Sequence, residues 1–317
     1  MTTTLPQEVQ QVFERFITTE YTTVTADGQP ITWPVTPYYQ AGGQEISLST
    51  GLGYPKKAYD ARRNPKVSLL FSEPTGSRLD RPPAVLVQGT AKVDSADLAA
   101  NRDRYSREST QKLPKVKLPP KLLRGFLGWY FFRIFVHVRP ERVYVWAGGD
   151  FTREPQLFGS HVEEVRSGHS EEPEVAQPAA GGGSVAWDER MRELGTRHST
   201  AVVSIVAPDG FPMSARTPIE LDEGNRLVRI RQESLGVPLV AGRACLTAHE
   251  HDPDFQWQRN FQVRGDLIRD EGGWALVPHR LIGGFELPPP GIKRWTENAE
   301  KMRQMRKRAK RELAKLR

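Results

Sequence analysis

The chain has 317 residues, of which 38% are hydrophobic and 26% carry a charge. This length favours two domains over one, and the apolar fraction is too high for a chain that is disordered throughout. The single cysteine, Cys245, excludes a disulfide scaffold and a cysteine-based zinc or iron–sulfur site. Its position in the apolar run ACLTA predicts a buried thiol.

The most apolar stretch is Phe126–Val138, which contains an arginine and a histidine. It is shorter than the ~20 apolar residues of a membrane-spanning helix. The N-terminal sequence MTTTLPQEVQQ lacks the basic start and apolar stretch of a secretion signal. We therefore expect a soluble cytoplasmic protein.

The net charge of +7 comes from one end of the chain. Residues 293–317 contain 11 Lys or Arg and 3 Asp or Glu, whereas the rest of the chain has 34 basic and 35 acidic residues. The tail is rich in helix formers and is expected to be helical. Three interpretations of it stay open: a solvated helix or frayed tail, a binding site for nucleic acid or another anionic surface, and a contact with an oligomer partner.

The same order of signals occurs twice along the chain, which indicates an internal repeat. Asp27-Gly28 and Asp209-Gly210, 182 residues apart, each join two β-rich runs and predict hairpin turns. A helical segment and an apolar strand follow in each half, and the second helix is cut short. Gly89 and Gly265, 176 residues apart, then mark a late strand in each half.

Short strands bounded by Gly, Pro, Asn and Asp, with one short helix in each half, are typical of small antiparallel barrels. The predicted fold class is therefore mainly β (α+β). Trp129–Trp146 is interpreted as further strands of the first barrel, with a turn at Arg139-Pro140-Glu141. The predicted domains are residues 1–155 and 187–292, with a flexible linker at 156–186 and a basic tail at 293–317.

The segment Ser49–Phe71 combines a strand end, a glycine loop, a short basic helix, an Asn-Pro pair and another strand. Near the start of such a helix, backbone N–H groups, hydroxyls and ammonium groups can converge on a phosphate. The alternative is an exposed basic helix without a ligand. The cations of this helix are Lys56, Lys57, Arg62 and Arg63.

This segment resembles the flavin-binding split-barrel superfamily, which includes pyridoxamine phosphate oxidases and flavin/deazaflavin oxidoreductases. The matching residues, in chain order, are Ser49-Thr50, Lys57-Ala58, Asn64-Pro65, Val67–Phe71 and Val85–Gly89. The resemblance covers residues 20–150 well and 185–290 weakly. It implies two tandem split β-barrels that form an internal pseudo-dimer around a bound cofactor, plus the C-terminal basic helix.

The resemblance also implies roles for individual residues. Lys57 would hold a cofactor phosphate, Ser49 and Thr50 would donate hydroxyl groups, and Arg62 or Arg63 would be auxiliary cations beside Lys56. Backbone groups of one strand would run along an isoalloxazine ring. That strand contains Trp33, Pro34, Val35 and Thr36. In the alternative interpretation, Trp33 and Val35 are ordinary barrel residues.

The chain departs from the family pattern in two places. Pro83-Ala84 stands where pyridoxamine phosphate oxidases have an Arg-Gln pair, so we do not expect oxidation of pyridoxamine phosphate. The second half has no lysine pair in its counterpart segment, Gly236–Ala241, so it would act as the wall of one asymmetric site. Trp257 and Arg259 could reach the ring from that side, although a position on a surface loop without a ligand explains both residues better.

Other candidates for chemistry are weaker. His249 and His251, with Asp252 and Asp254, could form a metal site, but a polar loop explains the same residues without a ligand. No nucleophile elbow, zinc-protease motif, P-loop or dinucleotide fingerprint occurs in the sequence.

Two classes of function stay open. The first is an oxidoreductase that binds FMN, or the deazaflavin coenzyme F-420, between the two barrels and acts on a small organic substrate. The second is a cofactor carrier or a haem-binding protein on the same fold, since fold alone does not decide function. The chain would be a monomer with an internal pseudo-dimer, or a homodimer.

Overall fold

The computed structural model describes residues 5–116, 128–159, 185–231, 236, 239–287 and 299–316. The helices are α1 (Gln7–Arg15), α2 (Lys56–Arg63), α3 (Leu98–Lys112), α4 (Gly128–Phe131), α5 (Glu189–Thr196) and α6 (Ala299–Lys315). The strands of the first half are β1 (Thr19–Val24), β2 (Pro30–Val35), β3 (Pro37–Tyr38), β4 (Ile46–Gly51), β5 (Lys66–Phe71), β6 (Ala84–Asp94), β7 (Arg133–Trp146) and β8 (Gln156–Gly159). Those of the second half are β9 (Thr200–Val206), β10 (Pro212–Asp222), β11 (Leu227–Ile230), β12 (Gly242–His251), β13 (Gln258–Asp270) and β14 (Gly273–Gly283).

The strands form two antiparallel sheets that share one order. The first sheet runs β2-β1-β5-β6-β7-β4-β3, with β8 paired to β7, and the second is a closed barrel in the order β10-β11-β14-β13-β12-β9. Two hairpins begin the halves with the same register, since Thr19 faces Val35 and Ala201 faces Thr217. The predicted fold of two tandem split barrels is confirmed.

Both predicted Asp-Gly turns are hairpin turns. Gly28 has a φ of +78° and Gly210 a φ of +83°, which residues with a β-carbon rarely adopt. The turns connect β1 to β2 and β9 to β10.

The late-strand glycines mark a β-bulge in each barrel. Gly89 faces Pro140, and Gly265 faces Pro278, at the register shift between β6 and β7 and between β13 and β14. The predicted turn at Arg139-Pro140-Glu141 is therefore wrong, because β7 continues through it as one strand. Proline cannot donate to the ladder, and the bulge accommodates it without ending the strand.

Each barrel has its own core. One cluster fills the first barrel and includes Phe13, Phe71 and Val85. The other fills the second barrel and extends onto the outer face of the first sheet, where it includes Leu70 and Trp146. The apolar outer face of the first sheet thus joins the two halves, because its burial removes that surface from water.

Buried hydrogen bonds complete the contact between the barrels. Thr32 Oγ1 donates to Ser204 Oγ over 2.7 Å, and Gln262 Nε2 donates to the Thr32 carbonyl over 2.7 Å. Gln29 Nε2 donates to the Ala244 carbonyl over 2.8 Å. Strand β2 is therefore the centre of the interface, as the expected internal pseudo-dimer requires.

Two predictions of organisation need correction. The first sheet extends to Gly159, because β8, which we placed in the linker, pairs with β7. The first half also has more than one short helix, since α1 and α3 pack on it. Asp97 caps α3 by accepting from the backbone of Ala99 and Ala100. The predicted linker from residue 160 to 184 and the segment 288–298 lie outside the described residues.

The C-terminal tail is helical, as predicted, but its inner face packs on the chain's own first barrel. Met305 is 7% exposed and Ala309 is 1% exposed, and Ala309 belongs to the core of the first barrel. The expectation of a fully solvated or frayed tail is wrong for this face of α6. No helix within the described ranges has the length and apolar run needed to cross a bilayer.

Candidate functional site

The glycine loop follows the end of strand β4 and leads into helix α2. The Thr50 hydroxyl donates to the Tyr54 carbonyl over 2.8 Å, and the Tyr54 N–H donates to the Gly51 carbonyl over 2.9 Å. Pro55 then precedes the helix with the fixed φ that suits a helix start. The loop is thereby held in a tight turn, and Lys57 is the second residue of the helix.

The four predicted cations do not converge. Lys56 pairs with Asp60 over 2.9 Å, and Arg63 pairs with the same carboxylate over 3.1 Å. Arg62 is exposed and donates to Ser95 Oγ over 2.9 Å. Because Asp60 is buried and already holds two cations, Lys56 and Arg63 have a structural role there. Their predicted contacts with a phosphate stay predictions.

Lys57 differs from the other three cations. It is half-buried and has no hydrogen-bond or ion-pair partner among the described residues. Burial, followed by the positive charge of Arg133, lowers the pKa of its ammonium group to about 8. The pKa lies below its ordinary value because no anion offsets the loss of water around the charge.

Arg133, the first residue of β7, is a second cation near Lys57. It pairs in register with Gly51, and its Nη1 lies 2.8 Å from the position of a β-carbon on Gly51. Its guanidinium carbon lies 4.0 Å from the ring centre of Tyr105 and 4.6 Å from that of Tyr130. A side chain at position 51 would therefore displace the Arg133 guanidinium from its place against the two tyrosine rings.

Within the described residues, no carboxylate pairs with Lys57 or Arg133. No Asp or Glu is among the main causes that shift the pKa of either group. The Arg133 Nε is buried without a hydrogen-bond partner among the described residues. Two like charges that are removed from water cost free energy unless an anion is bound between them. The arrangement around Lys57 and Arg133 is therefore suited to a phosphate or another anion.

The predicted hydroxyl donors lie on β4, next to this place. Thr50 is 3% exposed, and its hydroxyl hydrogen is used within the loop. Ser49 is half-buried and faces Phe135 in the register of β4 and β7. Because an ionised phosphate accepts hydrogen bonds and donates none, the Thr50 hydroxyl would have to leave the Tyr54 carbonyl in order to donate to it. The predicted roles of Ser49 and Thr50 as donors stay predictions.

The predicted ring-side strand changes character along its length. Pro30–Thr32 is buried in the interface, whereas each residue from Trp33 to Thr36 is half-buried. The ring of Trp33 reaches the second barrel, where its edge lies 2.8 Å from the position of a β-carbon on Gly284. The accessible part of the interface therefore begins at Trp33 and ends at Thr36, where β2 breaks before β3.

The second half has an open polar cavity near the start of helix α5. A cavity of about 390 Å³ is lined by Asp188, Glu189, Arg190, Glu193 and Arg259. Arg259 forms an ion pair with Glu193, so its charge is already neutralised. Trp257 is half-buried, and its backbone N–H donates to Asp252 Oδ1 over 2.8 Å. The predicted reach of Trp257 and Arg259 toward a ring stays a prediction.

The remaining candidates bond to the first barrel. His249 Nε2 lies 2.7 Å from Glu20 Oε1, and His251 Nε2 lies 3.2 Å from Thr18 Oγ1. No group of three or more metal-ligating side chains occurs within the described ranges. Cys245 is buried, as predicted, and its thiol donates to Thr32 Oγ1 over 3.4 Å.

Sequence reasoning missed Arg133 and the tyrosines around it. Arg133 is 76 positions from Lys57, and only the pairing of β4 with β7 brings the two together. Tyr105 lies on α3, which was not predicted. The N-cap residue Asp97 was the signal that could have located this helix.

Comparison with solved structures finds proteins of the family that the sequence motifs resemble. An F-420 reductase is 17% identical, with a TM-score of 0.34, and the match covers 44% of this chain and 98% of that one. A pyridoxamine 5'-phosphate oxidase-related, FMN-binding protein from Nostoc punctiforme is 13% identical, with a TM-score of 0.35 and coverage of 51% and 95%. A Clostridium acetobutylicum protein related to general stress protein 26, of the pyridoxinephosphate oxidase family, is 15% identical, with a TM-score of 0.34 and coverage of 50% and 94%.

Each of these matches covers about half of this chain. No family model and no curated protein matches the sequence. The two-barrel fold therefore rests on the strand pairing of the chain itself.

Proposed function

We propose that this chain binds one FMN between its two barrels, with the phosphate held by Lys57 and Arg133, and that it acts as a flavin-type oxidoreductase. The observation that carries the proposal is the pair of half-buried cations, Lys57 and Arg133, which have no carboxylate partner among the described residues. A dianionic phosphate would offset both charges and accept the unused Nε–H of Arg133. Ser49 and Thr50 would add hydroxyl groups beside it.

The ring system would lie along the accessible part of β2. Trp33, Pro34, Val35 and Thr36 offer an apolar edge with backbone groups, which suits a flat heteroaromatic ring. A bound flavin would supply hydride and electron transfer. The residues of this chain would clamp the phosphate, orient the ring and exclude water, while the second barrel would form the opposite wall. A small organic substrate would bind in the space between the barrels.

The same anion site would accept the phosphate of F-420, so the deazaflavin is the alternative cofactor. Haem, and a non-catalytic carrier of a cofactor, are further alternatives on this scaffold. Lys57 and Arg133 favour a phosphate-bearing cofactor over haem, because haem carries carboxylates on a ring that needs an axial ligand. We also propose that the protein resides in the cytoplasm.

Absorption spectroscopy of the purified protein tests the proposal, with mass spectrometry to identify and count the released cofactor. FMN gives two visible bands, F-420 one band nearer the violet, and haem a Soret band. We expect FMN at one molecule per chain, because the counterpart segment of the second half, Gly236–Ala241, contains no lysine. A protein that stays colourless after incubation with each of the three cofactors would show that the proposal is wrong.

A further inference from the structure

The C-terminal helix α6 contacts the elements on both sides of the candidate anion site. Met305 lies 3.4 Å from the position of a β-carbon on Gly53, in the loop before α2. The Tyr59 hydroxyl of α2 donates to Glu312 Oε2 over 2.6 Å. On the other side, α6 contacts α4, which contains Tyr130, a neighbour of the Arg133 guanidinium. The helix thus bridges the two segments that place Lys57 and Arg133.

The two faces of α6 differ in burial, which is not expected for a fully solvated helix. Met305 and Ala309 are buried against the first barrel, and the side chain of Glu312 faces Tyr59. Lys307, Lys310 and Ala314 are exposed. The sequence thus buries an apolar stripe at i, i+4 spacing, which is how a helix docks on a core.

We propose that α6 is a positioning element of the anion site, and that docking of α6 and binding of the anion strengthen each other. The inference rests on the proposed function, since it assigns the anion to Lys57 and Arg133. Helix α6, whose residue Met305 is almost 250 positions from Lys57 in the chain, thereby affects the affinity of that site.

The loop from Thr50 to Lys57 is the part that α6 controls. Its inner end is fixed by the Thr50 hydroxyl, whereas Gly53 is covered only if Met305 stays in place. Because Gly53 has no side chain of its own to anchor the loop, release of α6 frees the turn that leads into α2. Lys57 then loses its fixed position relative to Arg133, and an anion binds fewer preorganised groups.

A matched pair of alanine-to-aspartate substitutions tests this inference on the full chain. Ala309→Asp places a carboxylate in the buried stripe and releases α6, whereas Ala314→Asp makes the same change on the exposed face. FMN affinity is measured by quenching of flavin fluorescence, with circular dichroism as a check of the fold. We expect Ala309→Asp to weaken FMN binding by about tenfold or more, and Ala314→Asp to change it by less than about twofold.

Tyr59→Phe keeps the test decisive if Ala309→Asp does not fold. It removes only the hydrogen bond to Glu312 and keeps the packed ring. We expect a loss of FMN affinity of about two- to tenfold, which is smaller than the loss of a direct charge-assisted contact, because Tyr59 acts on the anion only through α6.

Coupling of this kind is reciprocal, which gives a readout that affinity alone does not. FMN should slow tryptic cleavage within α6 of the wild-type chain, and inorganic phosphate should do so at higher concentration. Equal FMN affinity in the wild type and both aspartate variants, or tryptic cleavage that FMN does not change, would overturn the inference while leaving the proposed function intact. Failure of the wild type to bind FMN at all would overturn both.

Discussion

The two barrels share their strand order but differ at the strand that follows the first hairpin. In the second half, β10 is one strand of 11 residues that pairs with both β9 and β11 and so closes the barrel. In the first half the same path is broken at Thr36 into β2 and β3. The break leaves the residues from Trp33 to Thr36 half-buried. A closed barrel has no such accessible edge.

The residues at equivalent positions show the same contrast in charge. The register places Pro34 of the first half in correspondence with Arg216 of the second, 182 residues later. Arg216 crosses the interface and pairs with Glu20 over 2.9 Å, and His249 reaches the same carboxylate. Arg216 and His249 of the second half are therefore neutralised by a carboxylate of the first half, across the interface.

The pKa of the buried Glu20 carboxyl reflects its pairing with these two residues. Burial alone would raise the pKa of its carboxyl, but hydrogen bonding from His249 and the charges of His249 and Arg216 bring the pKa below its ordinary value. In contrast, no carboxylate in the described part of the chain is among the main causes that shift the pKa of Lys57 or Arg133. Repetition of a fold thus need not repeat a site, because a few substitutions change which charges have a partner within the protein.

Removal of the Glu20 carboxylate is expected to have the largest effect. Glu20→Ala leaves the Arg216 guanidinium and the His249 ring without their buried partner, and such a loss costs about 3–5 kcal/mol. Urea unfolding followed by tryptophan fluorescence measures this change. Asp27→Ala is the control, because its pair with Arg243 joins two side chains that are 65% and 46% exposed, and we expect less than about 1 kcal/mol there. Similar midpoints for both variants would contradict a structural role for the Glu20 cluster.

Loss of the Lys57 ammonium is expected to affect the first half alone. Lys57→Ala removes a charge-assisted contact of about 1.5–3 kcal/mol, so FMN affinity should fall by roughly 10- to 100-fold. Arg133→Ala should cause a comparable loss. Lys56→Ala is the matched control, since its ammonium pairs with Asp60, and affinity should then change by less than about twofold. The measurement is a flavin fluorescence titration. Unchanged affinity in a folded Lys57→Ala variant would place the anion elsewhere.

Substitution of the two bulge glycines tests whether both barrels require the same close approach of one strand's backbone to the next. A β-carbon would lie 2.2 Å from the Arg139 carbonyl oxygen at Gly89 and 2.0 Å from the Val277 carbonyl oxygen at Gly265. We expect each Gly→Ala change to destabilise the chain by about 1–3 kcal/mol, because the backbone must move. Gly283→Ala, where a β-carbon meets no atom within 4 Å, is the control. A shift in urea midpoint for only one of the two glycines would show that the repeat is inexact at the bulge.

These glycines also show what the sequence could and could not predict. The offset between Gly89 and Gly265 correctly located a shared feature, because a close backbone approach demands glycine wherever it occurs. The turn at Pro140 was wrong, because proline marks bulges as well as turns. Local patterns likewise located Lys57 at a helix start. They could not locate Arg133, because its position depends on long-range strand pairing.

The affinity for FMN should depend on pH through the ammonium group of Lys57. The pKa of Lys57 is about 8, below its ordinary value of 10.5, so the ligand-free site loses its ammonium charge as the pH rises through 8. The phosphate of FMN is already fully ionised there, since its second pKa is about 6. We therefore expect affinity to fall by about tenfold between pH 7 and 9, because proton uptake becomes a cost of binding.

The stability of the ligand-free protein should respond with the opposite sign. Burial disfavours the charged form of Lys57, so the unfolded chain binds the proton more tightly, and stability rises with pH between about 8 and 10.5. Lys57→Arg keeps the charge throughout this range and should make FMN affinity nearly independent of pH. Flavin titrations and urea midpoints at pH 7, 8 and 9 measure both trends. An affinity that falls equally in the wild type and in Lys57→Arg would show that another group controls the site.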